Sequence, residues 1–257
     1  MPFTPTHILA VLPLAPLYRW LPFPALAIGA MVPDIGLFYP SVDYAKTHSP
    51  QGVFTTCIPL GIALFILFET LVRRPLVALL PNWYQSRIDP RPQLSTKPTL
   101  MHQVLVYASI AAAVGFGAFS HQIWDAFTHQ GRWGTQLLPW LNVEVSLGGY
   151  SAPGFKLLQY SSTLVGLPLL AVYSHVCLWR ASPQHALPKS ALSNRFKLIA
   201  SVIVLSIPIL VGTYACATQS TYPDVLGVTI KVSGAIVGVL CVAYCIGFQL
   251  CNERTRN

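Results

Sequence analysis

The stretch QVLVYASIAAAVGFGAFSHQIWDAFTHQG, residues 103–131, joins an apolar helix to a polar end. Residues 104–119 include no charged side chain, and His121, Asp125 and His129 then follow at intervals of four residues. At about 3.6 residues per turn, successive members of this series lie about 40° apart and therefore share one helix face. Two interpretations fit the pattern: the polar end of a helix that leaves a membrane, or half of a metal site.

The composition of the whole chain indicates a membrane environment. Of the 257 residues, 53% are hydrophobic and 9% are charged, whereas a soluble domain usually has about 25% charged residues. A bilayer core of about 30 Å needs about 20 apolar residues in a helix. The sequence therefore predicts an all-α, polytopic membrane protein that has an N-terminal helical hairpin and about five transmembrane helices, at 53–72, 103–124, 158–179, 197–217 and 228–250.

The N-terminal region allows two interpretations. Residues 8–18 form an apolar run that would be about 16 Å long as a helix, half of a bilayer. An arginine and two prolines follow, and a second apolar run comes next. We predict a hairpin that enters the membrane and returns, since proline and arginine are unfavourable in mid-span. The alternative is one broken span over 8–32, which would separate His7 from Asp34. The predicted segments are the hairpin with its metal-motif region (1–52), the core helices (53–179) and a C-terminal helix pair (180–257).

The distribution of cations predicts the orientation in the membrane. Loops 73–102 and 180–196 carry five and three Lys or Arg residues, whereas 125–157 carries two and 218–227 carries none. By the positive-inside rule, we predict a protein of the cytoplasmic membrane whose cation-rich loops and C-terminus lie in the cytoplasm. The end of the 103–124 helix then faces outward. The net charge of +8 is explained by topology, and no nucleic-acid partner is expected because no basic run contains interleaved aromatic residues.

Polar motifs from four separate elements fall on this predicted outer side. They are Thr-His before the first apolar run, Pro-Asp after the second, Lys-Thr-His-Ser before the 53–72 helix, and H-x-x-x-D at the end of the 103–124 helix. The chain has only seven histidines and eight acidic residues, so this concentration is unusual. Mixed His and Asp ligation suits Zn²⁺, and an i, i+4 pair offers two ligands from one rigid helix. The candidate metal ligands are His7, Asp34, His48, His121, Asp125 and His129.

These motifs resemble those of a known family. Together with YSAPGFKLLQYSSTLVG at 150–166, they closely resemble the bacterial membrane proteins grouped as domain of unknown function 4184, over the chain to about residue 215. The metal-type motifs are also similar to those of membrane-bound metal-dependent hydrolases of the YdjM type. More distantly, they resemble zinc-dependent phospholipase C and P1 nuclease. The resemblance implies an all-α zinc site that cleaves phosphate esters.

By position, the resemblance implies one complete zinc site, formed by Asp34, His48, His121 and Asp125. His7 and His129 would belong to a second site that is bridged through Asp125. The chain departs from those enzymes in two respects. It begins with Met-Pro-Phe, where they use an N-terminal tryptophan as a ligand, and it has no further H-x-x-x-E pair. We therefore expect one or two Zn²⁺ ions.

The predicted function is a membrane-bound, metal-dependent hydrolase of a phosphate ester at the outer face, with a lipid-linked ester as the natural substrate class. Asp34 and Asp125 are the candidate catalytic carboxylates, because such a group can accept a proton during hydrolysis. Arg132 and Lys156 are the candidate contacts for an anionic substrate. The alternative is a non-catalytic integral membrane protein with a structural metal site or a polar cluster. The expected partners are membrane lipid and, through the small-residue pattern GAIVG at 234–238, a second copy of the chain.

Overall fold

The computed structural model of the chain describes residues 3–88, 99–147, 150–183 and 192–254. Two stretches that hold part of the cations used to predict orientation, 89–98 and 184–191, lie outside these residues. The chain divides into two compact units. The first contains Met1–Phe65 and Ser95–His175, and the second contains Ile66–Leu94 and Val176–Asn257.

Five helices among the described residues are long and apolar enough to cross a membrane, which confirms the all-α, multi-pass prediction. Each extends beyond its predicted apolar window, because polar residues at both ends continue the helical hydrogen bonding. The 103–124 window, for example, belongs to a 29-residue helix. We number the principal helices α1 (Phe23–Met31), α2 (Pro50–Leu79), α3 (Leu100–Thr128), α4 (Gly154–Arg180), α5 (Asn194–Thr218) and α6 (Tyr222–Arg254).

The N-terminal region is a hairpin, as predicted. A 3₁₀ helix at Thr4–Leu17 contains Pro13 and Pro16, and proline disfavours an α-helical interior because it lacks the N–H group. The chain then turns and forms α1, and the hairpin ends in a second 3₁₀ helix at Val32–Leu37. His7 Nε2 lies 4.0 Å from Asp34 Oδ2, so the two ends of the hairpin meet. This contact rules out the single broken span.

The hairpin is held by close packing of α1 on α3. Gly29 faces the backbone of Val114, and Gly117 faces the backbone between Leu26 and Ala30. A Cβ atom built on Gly117 would lie 2.6 Å from Ala30 N, which is too near for an ordinary contact. Glycine at these two positions therefore allows the helices to touch through their backbones. The crossing brings the carbonyl end of α1 beside the polar end of α3.

Short elements complete the first unit. They are the helix Tyr44–Thr47, the helix Trp133–Leu137, the 3₁₀ helix Pro139–Asn142 and the strands β1 (Glu144–Leu147) and β2 (Tyr150–Pro153). The strands pair antiparallel, with Glu144 opposite Pro153. This small β-hairpin was not predicted from the sequence. It leads directly into α4.

The second unit is formed by packed apolar helices. Helices α5 and α6 pack on each other, and the hydroxyl of Tyr244 donates to the carbonyl of Pro75 at 2.9 Å. A short helix, Asn82–Gln85, follows α2, and Lys197 Nζ donates to Asn82 Oδ1 at 2.8 Å. Most large apolar side chains of α5 and α6 are exposed. This exposure suits helices that contact lipid.

Candidate metal centre

Four side chains converge at the polar end of α3. Asp34, His48, His121 and Asp125 are all buried, and each offers one ligand atom within 4.8 Å of the others. All four belong to the first unit of the chain. They come from three separate elements: the second 3₁₀ helix, the segment before α2, and α3. The structure thus brings together the four residues that the family resemblance assigns to one complete zinc site.

Helix α3 and its contact with α1 position His121. Its ring Nδ1 lies 2.8 Å from the carbonyl oxygen of Ala30. Because a carbonyl oxygen only accepts, Nδ1 carries the proton, and the lone pair of Nε2 points to the centre of the cluster. Asp125 lies one turn later on the same face, and its Oδ2 is 3.4 Å from His121 Nε2. The glycine contacts between α1 and α3 therefore also orient a ligand.

The Tyr44–Thr47 helix positions His48 in the same way. His48 Nδ1 lies 2.9 Å from the carbonyl oxygen of Tyr44, and the ring of Tyr44 stacks on the imidazole with a 3.8 Å centroid separation. The hydroxyl of Thr47 donates to the carbonyl of Pro33 at 2.7 Å. Gln122 of α3 donates to the carbonyls of Thr47 and Ser49, each at 3.1 Å. These bonds tie the His48 segment to both of its neighbours.

The distances fit a tetrahedral metal site. Nε2 of His48 and Nε2 of His121 are 3.2 Å apart. Asp34 Oδ1 lies 3.6 Å from each of these nitrogens, and Asp125 Oδ2 lies 3.4 Å from each. Ligand bonds of 2.0–2.2 Å in a tetrahedron require ligand-to-ligand separations of about 3.3–3.6 Å. Four of the six edges therefore fall within this range, and a fifth, between the two histidine nitrogens, is about 0.1 Å short of it.

The remaining carboxylate oxygens face a second group of histidines. Asp125 Oδ1 lies 3.7 Å from His7 Nε2 and 3.4 Å from His129 Nδ1. Asp34 Oδ2 lies 4.0 Å from His7 Nε2 and accepts a hydrogen bond from Thr4 at 2.8 Å. Each aspartate thus directs one oxygen to either side, as a carboxylate that bridges two ions would. Of this second set, His129 is partly exposed, whereas all four residues of the first set are buried.

Electrostatics indicate that the centre attracts positive charge. Burial lowers the pKa of His48, but hydrogen bonds to Asp125 and Asp34 outweigh it and raise the pKa to about 9. Burial raises the pKa of Asp34, yet the hydrogen bond from His48 and the nearby rings bring it below its usual value. Burial, assisted by His121, lowers the pKa of His7 to about 3. The Asp34 carboxylate is therefore ionised at neutral pH, and the His7 imidazole is neutral with a free lone pair.

Several buried polar atoms test whether these residues suit a metal. Both ring nitrogens of His7, as well as Asp125 Oδ1, have no hydrogen-bond partner among the described residues. Buried polar atoms without a partner are costly, and a native structure rarely retains them without a reason. In His48 and His121 the N–H group at Nδ1 donates a hydrogen bond to a backbone carbonyl, which is the usual arrangement around a metal-ligating histidine. The residues present fit a divalent cation.

A small cavity of about 170 Å³ reaches the cluster from one side. Its lining includes His48, Asp125, Gln122 and Arg132. Asp125 is thus the carboxylate that a molecule in this cavity would meet. Arg132 supplies a positive charge to the lining of the same cavity.

Lys156, the other candidate for a substrate contact, lies outside the lining of this cavity. It is half-buried. Gln159, one turn later on α4, is buried, and its amide lies 3.1 Å from His129 Nε2. Sequence reasoning missed this contact. The three-residue spacing from Lys156 places Gln159 on a nearby helix face, but nothing in the pattern indicated that it would meet His129.

Tyr44 and Thr47 were also missed. Neither residue type marks a metal site by itself, and their contribution depends on the fold of residues 33–49. The Thr-His pair at 47–48 repeats the Thr-His pair at 6–7, and this repetition was the available signal. In both pairs the threonine is buried beside a cluster histidine.

Comparison with known proteins gives one positive result. No curated protein matches the chain, and no solved structure matches it. The family model described as "Domain of unknown function (DUF4184)" matches residues 1–246. With nearly the whole length covered, the chain belongs to the DUF4184 family.

Proposed function

We propose that this protein is a membrane-bound, metal-dependent phosphoester hydrolase. The observation that carries the proposal is the cluster geometry: five ligand-to-ligand distances of 3.2–3.6 Å around a point that two aspartates and two histidines share. The similarity of the motifs to YdjM-type hydrolases and, more distantly, to phospholipase C and P1 nuclease supports the same reaction class. When bound, Zn²⁺ would supply Lewis acidity and an activated water.

The residues of the chain would act in distinct ways. Asp34, His48, His121 and Asp125 would hold the first ion, and His7 and His129 would hold a second ion that shares the two carboxylates. Asp125 lines the 170 Å³ cavity, so it is better placed than Asp34 to meet water there, and it would accept a proton only while one of its oxygens is not bound to an ion. Arg132, which also lines it, would bind non-bridging oxygens of the ester. Lys156 remains a weaker candidate for the same task.

Charge favours two ions for catalysis. Two ionised aspartates carry a charge of −2, which one Zn²⁺ neutralises and two Zn²⁺ convert to +2. A positive site binds an anionic ester, whereas a neutral site has no such preference. The unpartnered nitrogens of His7 are the observation that favours the second ion.

A second candidate function, a structural metal site, has its own supporting observation. The first set offers four protein ligands to one ion, and structural zinc sites are closed in this way, whereas catalytic sites keep an open position. With His7 and His129 left without metal, the protein would be a non-catalytic membrane protein stabilised by one ion. The number of ions per chain therefore separates the two functions.

The membrane and its orientation are part of the proposal. The cation-rich loops favour the cytoplasmic membrane with the C-terminus inside, which directs the polar end of α3 outward. A phosphate ester at the outer lipid boundary is then the substrate class. The small-residue pattern at 234–238 supports a homo-oligomer, with membrane lipid as the surrounding partner.

The test is metal analysis and hydrolysis by the detergent-purified full chain. We expect two zinc ions per chain, one after His7→Ala, and fewer than one after Asp125→Ala, because Asp125 contacts both histidine sets. The matched control is His102→Ala, which removes a histidine from the same helix but outside the cluster. Hydrolysis of p-nitrophenyl phosphate and bis(p-nitrophenyl) phosphate should follow zinc content. One tightly held ion with no hydrolysis of either ester would instead establish the structural site.

Arg132→Gln tests the anion contact separately. We expect full zinc content and a KM for the ester that rises at least about tenfold, because a charge-assisted contact is lost. An unchanged KM would remove Arg132 from the site. Lys156→Gln, measured beside it, should have the smaller effect.

A further inference from the structure

A second, larger cavity lies against the first unit. Its volume is about 520 Å³, and its walls come from the N-terminal 3₁₀ helix, the last third of α3 and Leu158 of α4. The α3 lining is Ser120, Ile123, Trp124, Phe127 and Thr128. The hydroxyls of Ser120 and Thr128 donate to carbonyls of their own helix, at 2.7 and 3.2 Å. The hydroxyl groups of the wall are thus already bonded, and the cavity presents a largely apolar surface.

The lining of the cavity adjoins two of the candidate ligands, His7 and His129. In a 3₁₀ helix, residues three apart align along one edge with a rise of about 2.0 Å per residue. His7 therefore lies on the same edge as Ala10 and Pro13, and both of these line the cavity. Pro13 is about 12 Å from His7 along that edge. At the other wall, Thr128 adjoins His129, with its Oγ1 at 3.2 Å from the ring Nδ1.

The two cavities lie on opposite sides of α3. On α3, the small cavity is lined by Gln122, Asp125 and Ala126, whereas the apolar cavity is lined by residues 120, 123, 124, 127 and 128. At about 100° per residue, the mean directions of these two sets differ by nearly 180°, with His121 and Asp125 between them. The metal centre is therefore next to a small charged cavity on one side and a long apolar cavity on the other.

We propose that the apolar cavity binds the hydrocarbon chain of a lipid phosphate ester whose phosphate lies at the metal centre. This inference rests on the proposed function and narrows its substrate class from phosphate esters in general to those of long-chain alcohols. The continuity with His7 and Thr128 supports this occupant, because a chain in the cavity ends beside the cluster. Trp124 adds a second observation: its buried Nε1–H has no hydrogen-bond partner among the described residues. An ester oxygen at the head of the chain would accept that hydrogen bond.

The depth of the cavity also suits a lipid chain. The lining of α3 runs from Ser120 to Thr128, eight steps along the helix, or about 12 Å at 1.5 Å per residue. The lining of the 3₁₀ helix, from Leu9 to Pro13, adds a second wall about 8 Å long at about 2.0 Å per residue. The lining belongs to the end of a helix that is apolar enough to span a membrane. A chain could therefore enter from the lipid without crossing water.

The experiment measures binding of n-alkyl phosphates, from butyl to dodecyl, to the detergent-purified full chain. Burial of one methylene group is worth about fourfold in affinity. In the wild-type protein we expect that increment per methylene until the chain fills the cavity, followed by a plateau. Ala10→Trp places a large side chain in the cavity and should abolish the increment. The matched control, Ala112→Trp, lies at an exposed position of α3 and should keep it, which separates the cavity from partition into detergent.

Zinc content serves as the test of folding. Ala10→Trp should retain zinc, which shows that the variant folds, and it should lose the dependence of binding on chain length. Phe127→Ala, a second variant that widens the cavity, should reduce the increment without loss of zinc. Equal chain-length dependence in the wild type, Ala10→Trp and Ala112→Trp would overturn the proposal. If no ester is hydrolysed but the chain-length dependence persists in the wild type and is lost in Ala10→Trp, the cavity stands and the hydrolase function fails.

Discussion

Gly117→Ala tests the link between helix packing and metal binding. A Cβ at this position would lie 2.6 Å from Ala30 N and 2.8 Å from the carbonyl carbon of Gly29, and it would also meet Leu26 O. Ordinary contact begins near 3.4 Å, so α1 must move from α3 by at least about 0.8 Å. That shift lengthens the 2.8 Å bond from His121 Nδ1 to Ala30 O. It also stretches the 3.6 Å separation of His121 Nε2 from Asp34 Oδ1.

The expected loss follows from the tolerance of a metal site. Ligand distances must agree to about ±0.2 Å, so a displacement of about 0.8 Å should prevent all four ligands from reaching one ion. Loss of the carbonyl that orients a ligating histidine typically weakens affinity about 10–100-fold. Overpacking should also lower the free energy of unfolding by about 1–3 kcal/mol. Zinc affinity is measured by competition with a chromophoric chelator, and stability by thermal unfolding in the same detergent.

Gly115→Ala is the matched control. It makes the same change on the same helix, but its Cβ would meet only the end of the Ile58 side chain, at 3.3 Å. Both variants gain the same helix propensity, about 1 kcal/mol, so their difference isolates the backbone contact. We expect zinc affinity within about threefold of wild type for Gly115→Ala, well short of the loss expected for Gly117→Ala. If the two variants bind zinc equally, the α1–α3 contact does not position the ligands.

Three further predictions concern the surroundings of the cluster. Thr47→Val removes a buried donor and should lower the free energy of unfolding by about 1–3 kcal/mol, whereas Thr55→Val, whose hydroxyl is exposed, should change it little; equal losses in thermal unfolding would contradict the role of Thr47. Gln159→Ala frees His129 to rotate and should weaken the second zinc ion about tenfold while the first is retained, as chelator titration would resolve. A cysteine in place of Arg132, in a chain whose six native cysteines are replaced, should react with an impermeant thiol reagent in intact cells; reaction only after permeabilisation would place the cluster on the cytoplasmic side.

The local order of residues determined the transmembrane helices of this protein and the helix face that His121 and Asp125 share. A bilayer offers no water to the backbone N–H and C=O groups of a long apolar segment. Such a segment must therefore form a helix, in which these groups bond to each other. Helical periodicity alone puts His121 and Asp125 on one face, because the angle between residues four apart is fixed by the backbone. Because the chain has only seven histidines and eight acidic residues, those that follow the apolar runs could be recognised as candidate ligands before their positions were known.

The tertiary structure alone decided between a hairpin and a single span at the N-terminus. Both alternatives satisfy the same apolar pattern, and the choice depends on whether α1 can dock on α3. That docking requires two glycines, Gly29 and Gly117, to meet a partner backbone more than 80 residues away in sequence. Steric complementarity between distant segments has no local periodicity, so the sequence left both options open.

The same reason explains the surroundings of the site. Gln159 meets His129, and each aspartate directs its two oxygens to different histidines. These outcomes depend on rotations and separations of a few tenths of an ångström between packed helices, which residue spacing does not encode. The sequence determined which groups were available for metal chemistry, and the packing of the hairpin on α3 determined which of their atoms face each other.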